Sequence, residues 1–405
     1  MRIECWRAAV LAVAFTVTGC GTLLRNPVPP ELAATATIPE MPAVRIWAGR
    51  EDPAMARDII ESFAQESRDD FPFEADGAVR YAHLALSGGG ANGAFGAGFL
   101  NGWSSAGTRP VFKIVTGVST GALMAPFAFL GKSHDGALRE FYTTTSTSDI
   151  FIIGSLLGTA SRLLSGESLA DTGPLAALIA RHVDAELLRK VAAAHDRGRR
   201  LYIGTVDLDS LRFVVWNMGL IARRDSPEAL ALFRQVMLAS SSIPIVFPPV
   251  FFEVEAGGRR YDEMHVDGAV GARVFYGAGL LPPTLIRTRG GLGGKGYEDV
   301  FVIHNGQLFP VPRPTRRSVL GIGMRVLDAT GRSAVIGDLF RIHAIANLQG
   351  ASFQWVTIPD GIEMTGEEVF DPVSMTALFE LGYRSAASGV KWATVPPIFQ
   401  PMAEP

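Results

Sequence analysis

One glycine-rich stretch, LALSGGGANGAFGAGFLNGW at residues 84–103, constrains the fold of this chain more than any other. Seven of its twenty residues are Gly, they follow an apolar run, and Gly88, Gly90 and Gly93 fit the spacing G-x-G-x-x-G. A strand, a glycine loop and a helix in this order direct backbone N–H groups toward an anion at the helix N-terminus. That anion is either the pyrophosphate of a dinucleotide or the oxyanion formed during ester cleavage.

Strands and helices alternate around this stretch. The pattern predicts strands at 81–87 and 111–116, helices at 94–106 and 120–130, two further strands at 199–210 and 211–218, and a helix over 226–238. This alternation is typical of an α/β domain whose parallel sheet is covered by helices on both faces.

A dinucleotide site makes a second demand that the sequence does not meet. An acidic residue is needed about twenty positions after the glycine loop to bind the ribose, yet no Asp or Glu occurs between Gly93 and His134. Arg109 or Lys113 could accept a 2′-phosphate instead, which leaves a nucleotide-binding variant open.

The second predicted strand is followed by GVSTG, residues 117–121, which is a G-x-S-x-G motif. In a nucleophile elbow the central Ser is held on a tight strand-to-helix turn, where side chains two residues before and after it would collide. Gly117 and Gly121 meet that need, and the following helix directs its dipole toward charge developing at Ser119.

A hydroxyl nucleophile needs a base, and HVDGAV at residues 265–270 offers Asp267 after a short strand. In this order, the glycine loop, the G-x-S-x-G motif and the D-G-A motif resemble the patatin-like phospholipase family over residues 81–275. The resemblance implies a three-layer α/β fold with a central, mainly parallel sheet, and a Ser-Asp dyad that needs no catalytic His, metal or cofactor. It also implies roles for individual residues: Ser119 as nucleophile, Asp267 as general base, and the N–H groups around Gly88, Gly89, Gly90 and Ala91 as the oxyanion hole.

Several features leave alternatives open. Asn92 stands where the family usually carries Arg or Lys, and His304 or His343 could complete a Ser-Asp-His triad of the α/β-hydrolase type. The stretch 238–250 resembles the family segment between the catalytic elements, but it is equally compatible with ordinary core. The apolar segments 149–164 and 243–250 are candidates for an acyl channel or lid, although core packing explains both as well.

The N-terminus predicts export. Arg2 and Arg7 flank the start of an apolar run that is too short to span a bilayer, and the run ends in VTGC. This ending resembles the lipobox of bacterial lipoproteins, which implies lipidation at Cys20. The sequence thus predicts a signal peptide at 1–19, a lipidated Cys and flexible tether at 20–45, a helical extension at 46–80, a catalytic core at 81–275, and C-terminal additions packed on that core at 276–405.

The net charge indicates which classes of partner the protein can bind. With 37 basic and 40 acidic residues the net charge is −3, so the surface is not built to bind nucleic acid. We expect an acyl hydrolase whose partner is membrane lipid, without metal or cofactor, anchored through Cys20 to the bacterial cell envelope. Gly21 rather than Asp follows the Cys, which favours the periplasmic face of the outer membrane.

Overall fold

The computed structural model describes residues 25–153, 170–277, 296–362 apart from 311 and 313, and 369–397. The predicted signal peptide at 1–19 and the lipidation site Cys20 lie outside the described residues. Most of the apolar segment 149–164 also lies outside them.

A nine-stranded sheet forms the centre of the fold. Its strands are β1 (Arg45–Trp47), β2 (Val79–Leu86), β3 (Phe112–Gly117), β6 (Arg200–Asp207), β7 (Arg212–Asn217), β8 (Val250–Ala256), β9 (Arg259–Asp267), β10 (Gly296–His304) and β11 (Ser352–Thr357), and a separate small pair is formed by β4 (Ile152–Ile153) and β5 (Ala170–Asp171). The main path runs β1-β7-β6-β3-β2-β10-β11. From β6 to β11 all neighbours are parallel, whereas β7, β1 and the β8–β9 hairpin are antiparallel.

Helices cover both faces of the sheet. They are α1 (Pro53–Ala64), α2 (Gly93–Ser105), α3 (Thr120–Leu130), α4 (Asp135–Thr144), α5 (Thr147–Ile150), α6 (Gly173–His182), α7 (Ala185–Asp196), α8 (Met218–Ala222), α9 (Pro227–Ser240), α10 (Val319–Gln349) and α11 (Pro372–Ala387). One face packs against a large apolar layer that includes α2, α3 and α11, and the other is covered by α1 and α10. The expected three-layer α/β fold with a mainly parallel sheet is confirmed. Among the described helices, none combines the length and apolar character needed to cross a membrane.

The glycine helix α2 is seated closely against α11. A Cβ on Gly98 would lie 1.9 Å from the carbonyl oxygen of Phe379, and one on Gly382 would lie 2.1 Å from that of Phe95. Because neither position has room for a side chain, the two helix backbones approach directly. This contact fixes the helix whose N-terminus carries the glycine loop.

Strand β6 brings two distant segments to one point. On the same side of β6, Gly117 at the end of β3 lies opposite Ile203, and Asp267 at the end of β9 lies opposite Thr205. Thus β9 takes up pairing with β6 just beyond the place where β3 stops. The elbow after Gly117 and the carboxylate of Asp267 therefore meet at this junction.

The C-terminal part contributes to the sheet itself. The sequence predicts additions packed on a core that ends at residue 275, but β10 lies between β2 and β11 in the parallel sheet. Its buried side chains, including Val300, Val302 and Ile303, complete both faces. The apolar run VFVIHN at 300–305 has the composition of a strand, but the run carries no information about which strands it pairs with, so the position of β10 beside β2 could not be predicted.

The predicted tether is not free along its described part. Arg25 forms ion pairs with Asp209 and Asp262, at 2.7 and 2.6 Å. Further along, three apolar side chains are buried in the main core: Ile38, Met41 and Val44. The Pro-rich and small-residue composition favoured a flexible segment, but these spaced apolar residues bury enough surface to fix residues 25–44 against the domain.

Candidate active site

Ser119 sits on a strained turn between β3 and α3. Its φ of 55° and ψ of −127° place a non-glycine residue in a conformation that L-residues rarely adopt. A Cβ on Gly117 would lie 2.4 Å from the carbonyl oxygen of Gly121, and one on Gly121 would lie 2.4 Å from that of Leu86. The two motif glycines are therefore required sterically, and the turn has the geometry of a nucleophile elbow.

Asp267 accepts a hydrogen bond from the nucleophile. The distance from Ser119 Oγ to Asp267 Oδ2 is 2.6 Å, and Asp267 Oδ1 accepts from the backbone N–H of Ala269 at 2.8 Å. Gly268 permits this turn, because a Cβ there would lie 2.3 Å from the carbonyl oxygen of Gly204. The carboxylate is thus held at both oxygens, with one of them aimed at the hydroxyl.

Ser119 and Asp267 are almost fully buried. Ser119 is 5% exposed and Asp267 is 2% exposed. Burial raises the pKa of Asp267 to about 6, against the opposing effects of the hydrogen bonds from Ser119 and Ala269 and of the positive charge on Arg273. A carboxyl group with this pKa is a stronger base than an ordinary Asp and remains mostly ionised at neutral pH.

The glycine loop lies directly against the nucleophile. A Cβ on Gly88 would come within 3.1 Å of Ser119 Cβ, and Gly90 adopts a positive φ of 57°. The N–H of Gly88 donates to the carbonyl oxygen of Arg273 at 3.0 Å, so the structure removes Gly88 from the predicted oxyanion donors. Within the described residues, the N–H groups of Gly89, Gly90 and Ala91 have no protein acceptor.

Helix α2 begins at Gly93, immediately after this loop. The three unpaired N–H groups thus precede a helix N-terminus, where partial positive charge accumulates. Asn92, the residue that departs from the family pattern, donates its backbone N–H to the carbonyl oxygen of Gly89 and so helps to close the turn. These features suit the loop to an oxyanion.

A serine-rich segment, predicted only as core or as a family-like stretch, holds the elbow. Ser240 Oγ accepts from the N–H of Ser119 at 3.0 Å and donates to the carbonyl oxygen of Gly204 at 2.7 Å. Ser242 supplies the carbonyl oxygen that accepts the N–H of Asp267 at 2.9 Å. The signal was present as LASSSIP at 238–244, although the sequence did not show which hydroxyl served which partner.

Asn305 braces the glycine loop and was missed altogether. Its Nδ2 donates to the carbonyl oxygen of Ser87 at 2.9 Å, and its Oδ1 accepts from the N–H of Gly96 at 3.1 Å. A Cβ on Gly89 would lie 2.0 Å from the carbonyl oxygen of Asn305, so loop and brace are in direct contact. A single Asn after a strand gives no recognisable signal in the sequence.

Neither alternative base contacts the dyad. His304 Nδ1 lies 3.0 Å from Ser87 Oγ, and burial lowers the pKa of His304 to about 3. His343 is on α10 beside Asn347. All seven histidines fall within the described residues, and none forms a hydrogen bond with Ser119 or Asp267. This arrangement favours the dyad over the triad.

The cations considered for a nucleotide are occupied elsewhere. Arg109 donates to Asp135 at 2.8 Å, and Lys113 donates to Glu66 at 2.8 Å. Lys113 lies near the start of β3 and Arg109 precedes that strand, whereas the elbow follows the end of β3. In the described part of the chain, no group of three or more His, Cys, Asp or Glu side chains is placed to hold a metal ion.

The candidate channel segment 243–250 lies next to Ser242 and is only partly buried. Phe247 is buried against the ring of Phe151, at 5.5 Å between centroids, whereas Ile245 is about half exposed and has a φ of 75°. This segment follows directly after Ser242, beside the dyad. It is core on one side and exposed apolar surface on the other.

Comparison with known proteins identifies the class. Residues 84–277 match the family model described as patatin-like phospholipase, and the dyad and the glycine loop fall within that range. Residues 84–277 therefore form a patatin-like phospholipase domain, and this domain supports lipid acyl hydrolase activity. Among solved structures the chain is similar to VipD from Legionella pneumophila, with a TM-score of 0.37 and 10% identity over 79% of this chain and 69% of that chain. No curated protein matches the sequence.

Replacing Asn305 tests whether the brace orients the loop. We expect Asn305→Ala to lower kcat for a short-chain p-nitrophenyl ester by about 10- to 100-fold with KM within about threefold, because displaced N–H groups no longer meet the oxyanion. The matched control is Gln307→Ala, two residues further on, whose side chain donates to Pro359 and Ile362 carbonyl oxygens instead. Equal kcat values for the two variants would show that Asn305 has no role in orienting the loop.

Proposed function

We propose that the protein cleaves ester bonds of phospholipids or related lipids through an acyl-enzyme on Ser119, with Asp267 as general base. The observation that carries the proposal is the 2.6 Å hydrogen bond between Ser119 Oγ and Asp267 Oδ2 on a strained elbow. Three free N–H groups at the start of a helix supply the complementary charge stabilisation.

Acylation proceeds by attack of Ser119 Oγ on the ester carbonyl carbon while its proton passes to Asp267 Oδ2. The carbonyl oxygen becomes an oxyanion that accepts hydrogen bonds from Gly89, Gly90 and Ala91. Collapse of this intermediate breaks the ester C–O bond, and the protonated Asp267 returns the proton to the departing alcohol. An acyl group then remains esterified to Ser119.

In deacylation, water takes the place of Ser119 as the nucleophile, and Ser119 Oγ becomes the leaving group. Water attacks the acyl carbon and gives its proton to Asp267, and the second tetrahedral intermediate releases the fatty acid as the proton returns to Ser119 Oγ. A carboxylate with a pKa of about 6 is close in basicity to an ordinary imidazole, so Asp267 can serve as the proton acceptor at neutral pH. The backbone N–H groups of the glycine loop stabilise the oxyanion in both steps.

Substitution of the dyad tests the mechanism. We expect Ser119→Ala and Asp267→Asn each to lower hydrolysis of a phospholipid and of a short ester by at least about 10³-fold, since one removes the nucleophile and the other cannot accept a proton. An organophosphonate should label wild-type Ser119 but not the Ala variant, as read by mass spectrometry. His343→Ala serves as the control and should retain activity within about twofold, and a large loss there would favour the triad.

The pH profile tests Asp267 as base. The general base acts only when ionised, so we expect kcat/KM to fall about tenfold per pH unit below a pKa near 6. Protonation of Asp267 does not unfold the protein, because its pKa is higher in the folded than in the unfolded state and the protonated form favours the fold. Circular dichroism at each pH checks that the protein stays folded. A kcat/KM that does not change between pH 5 and pH 8 would contradict the assignment.

We further propose that the protein is lipid-anchored at the bacterial outer membrane, facing the periplasm, through Cys20. The five peptide steps from Cys20 to Arg25 span about 18 Å at most, so an anchored chain would hold its domain close to the bilayer. The proposal is supported by the lipobox-like VTGC and by the ion pairs that fix Arg25.

Mass spectrometry of the protein extracted from bacterial membranes tests the anchor. We expect the mature chain to begin at an acylated Cys20, and Cys20→Ser to remain as the unprocessed precursor because the modification that precedes cleavage cannot occur. A mature N-terminus at another residue, or an unmodified Cys20, would contradict the proposal.

A further inference from the structure

Helix α10 is longer than the sheet it covers. Its 31 residues extend about 46 Å, whereas the nine residues of the adjoining strand β10 extend about 30 Å. The surplus of about 16 Å corresponds to about eleven helical residues. One end of α10 must therefore project beyond the sheet.

The N-terminal half is the projecting end. From residue 314 to residue 330, no described side chain is buried, whereas Val335, Leu339, Ile342 and Ala346 further along are buried against the sheet. Val319 is 93% exposed, and Ile322 and Val326 are each 53% exposed. Their spacing of three and four residues places these side chains along one face of the helix.

This end of the helix stands at the active-site edge of the sheet. The connection from β10 through α10 to β11 joins parallel strands, so the N-terminal end of α10 lies toward the edge of the sheet at which β10 ends. Arg332 on α10 donates to the carbonyl oxygen of Gln307, and Arg273 donates to that of Leu327 at 3.1 Å. The carbonyl oxygen of Arg273 in turn accepts the N–H of Gly88 in the glycine loop.

Two cations stand next to the apolar face. Arg316 and Arg317 are exposed immediately before α10, and neither forms an ion pair within the described residues. By contrast, Arg325 and Arg332 on the helix are both paired with Asp328. The unpaired arginines therefore give this end of the helix a local positive charge on a protein whose net charge is −3.

We propose that Val319, Ile322 and Val326, together with Arg316 and Arg317, form an α10 surface that docks on an anionic lipid bilayer. An apolar helical face flanked by arginines is the composition that binds at the interface between lipid headgroups and acyl chains. The inference rests on the proposed lipid substrate, since Ser119 is buried and a lipid must leave its bilayer to reach it. Docking at the active-site edge of the sheet shortens that transfer.

Charge favours a bilayer over a second copy of the chain. Pairing of two such surfaces about a twofold axis would confront each copy with the same unpaired arginines. Anionic headgroups neutralise them, and the acyl region takes up the apolar side chains.

Environment-sensitive labelling tests the docking directly. Full-length protein carrying Cys5→Ser and Cys20→Ser has no other thiol, so Ile322→Cys can be labelled with a nitrobenzoxadiazole fluorophore. On adding vesicles of phosphatidylglycerol and phosphatidylcholine, we expect its emission to shift to the blue and to intensify at least twofold. The matched control is Leu348→Cys near the other end of α10, which is 88% exposed and should not respond. An unresponsive label at 322 would overturn the proposal.

The same label distinguishes a lipid bilayer from a second copy of the chain as the partner of the α10 surface. A blue shift at position 322 that follows protein concentration without vesicles, with a matching dimer in sedimentation velocity, would assign the surface to a second copy and overturn the lipid proposal. Arg316→Ala with Arg317→Ala should weaken binding to anionic vesicles at least fivefold and leave the weaker binding to pure phosphatidylcholine nearly unchanged.

Activity separates this proposal from the proposed function. We expect Ile322→Asp with Val326→Asp to lower hydrolysis of vesicle phospholipid at least tenfold and to leave hydrolysis of a soluble short-chain ester within twofold. Leu348→Asp should change neither rate. A blue shift of the label at residue 322, combined with no ester hydrolysis by the wild type, would refute the proposed function alone. Equal vesicle hydrolysis by the wild type and the double variant would refute docking alone.

Discussion

The hydrogen bond between Ser119 and Asp267 depends on one shared strand and in turn sets the chemistry of the site. Because β3 and β9 pair in succession along the same side of β6, residues separated by 148 positions meet at 2.6 Å. Burial of this pair raises the pKa of Asp267 to about 6. A more open junction would leave the carboxylate solvated and a poorer base, so the sheet register and the strength of the base are coupled.

Strain at the nucleophile is offset by packing around it. Ser119 stays at positive φ because Ser240 accepts its N–H and the flanking glycines let the turn lie against the carbonyl oxygens of Leu86 and Gly121. The glycine loop is fixed in the same manner, by Arg273 through Gly88 and by Asn305 through Ser87. Separate contacts therefore hold Ser119 and the N–H groups of the glycine loop, an arrangement that suits the proposed catalysis through preorganised dipoles.

Local patterns predict the parts of the site whose geometry is local. The elbow at 117–121 and the glycine loop are short turns with strict steric demands, so their residue types identify them, and the strands and helices predicted from 81 to 130 form with ends displaced by at most two residues. The sequence places Gly88 among the predicted oxyanion donors, because the spacing of the glycines cannot show that the carbonyl oxygen of Arg273 accepts the N–H of Gly88. Asn305, the place of β10 in the sheet and the packing of 25–44 all depend on long-range contacts, which periodicity does not encode.

The C-terminal part is structurally continuous with the candidate site. Residues 84–277 contain the dyad and the loop, yet the loop is braced by Asn305, and strand β2, which leads into it, has β10 as one neighbour. Without β10, that edge of β2 would present unpaired backbone groups, and Gly89 would lose the contact that positions it. The segment that follows β10 also carries the projecting end of α10. The residues that brace the glycine loop and those of the proposed docking surface thus come from one connected stretch outside the matched domain.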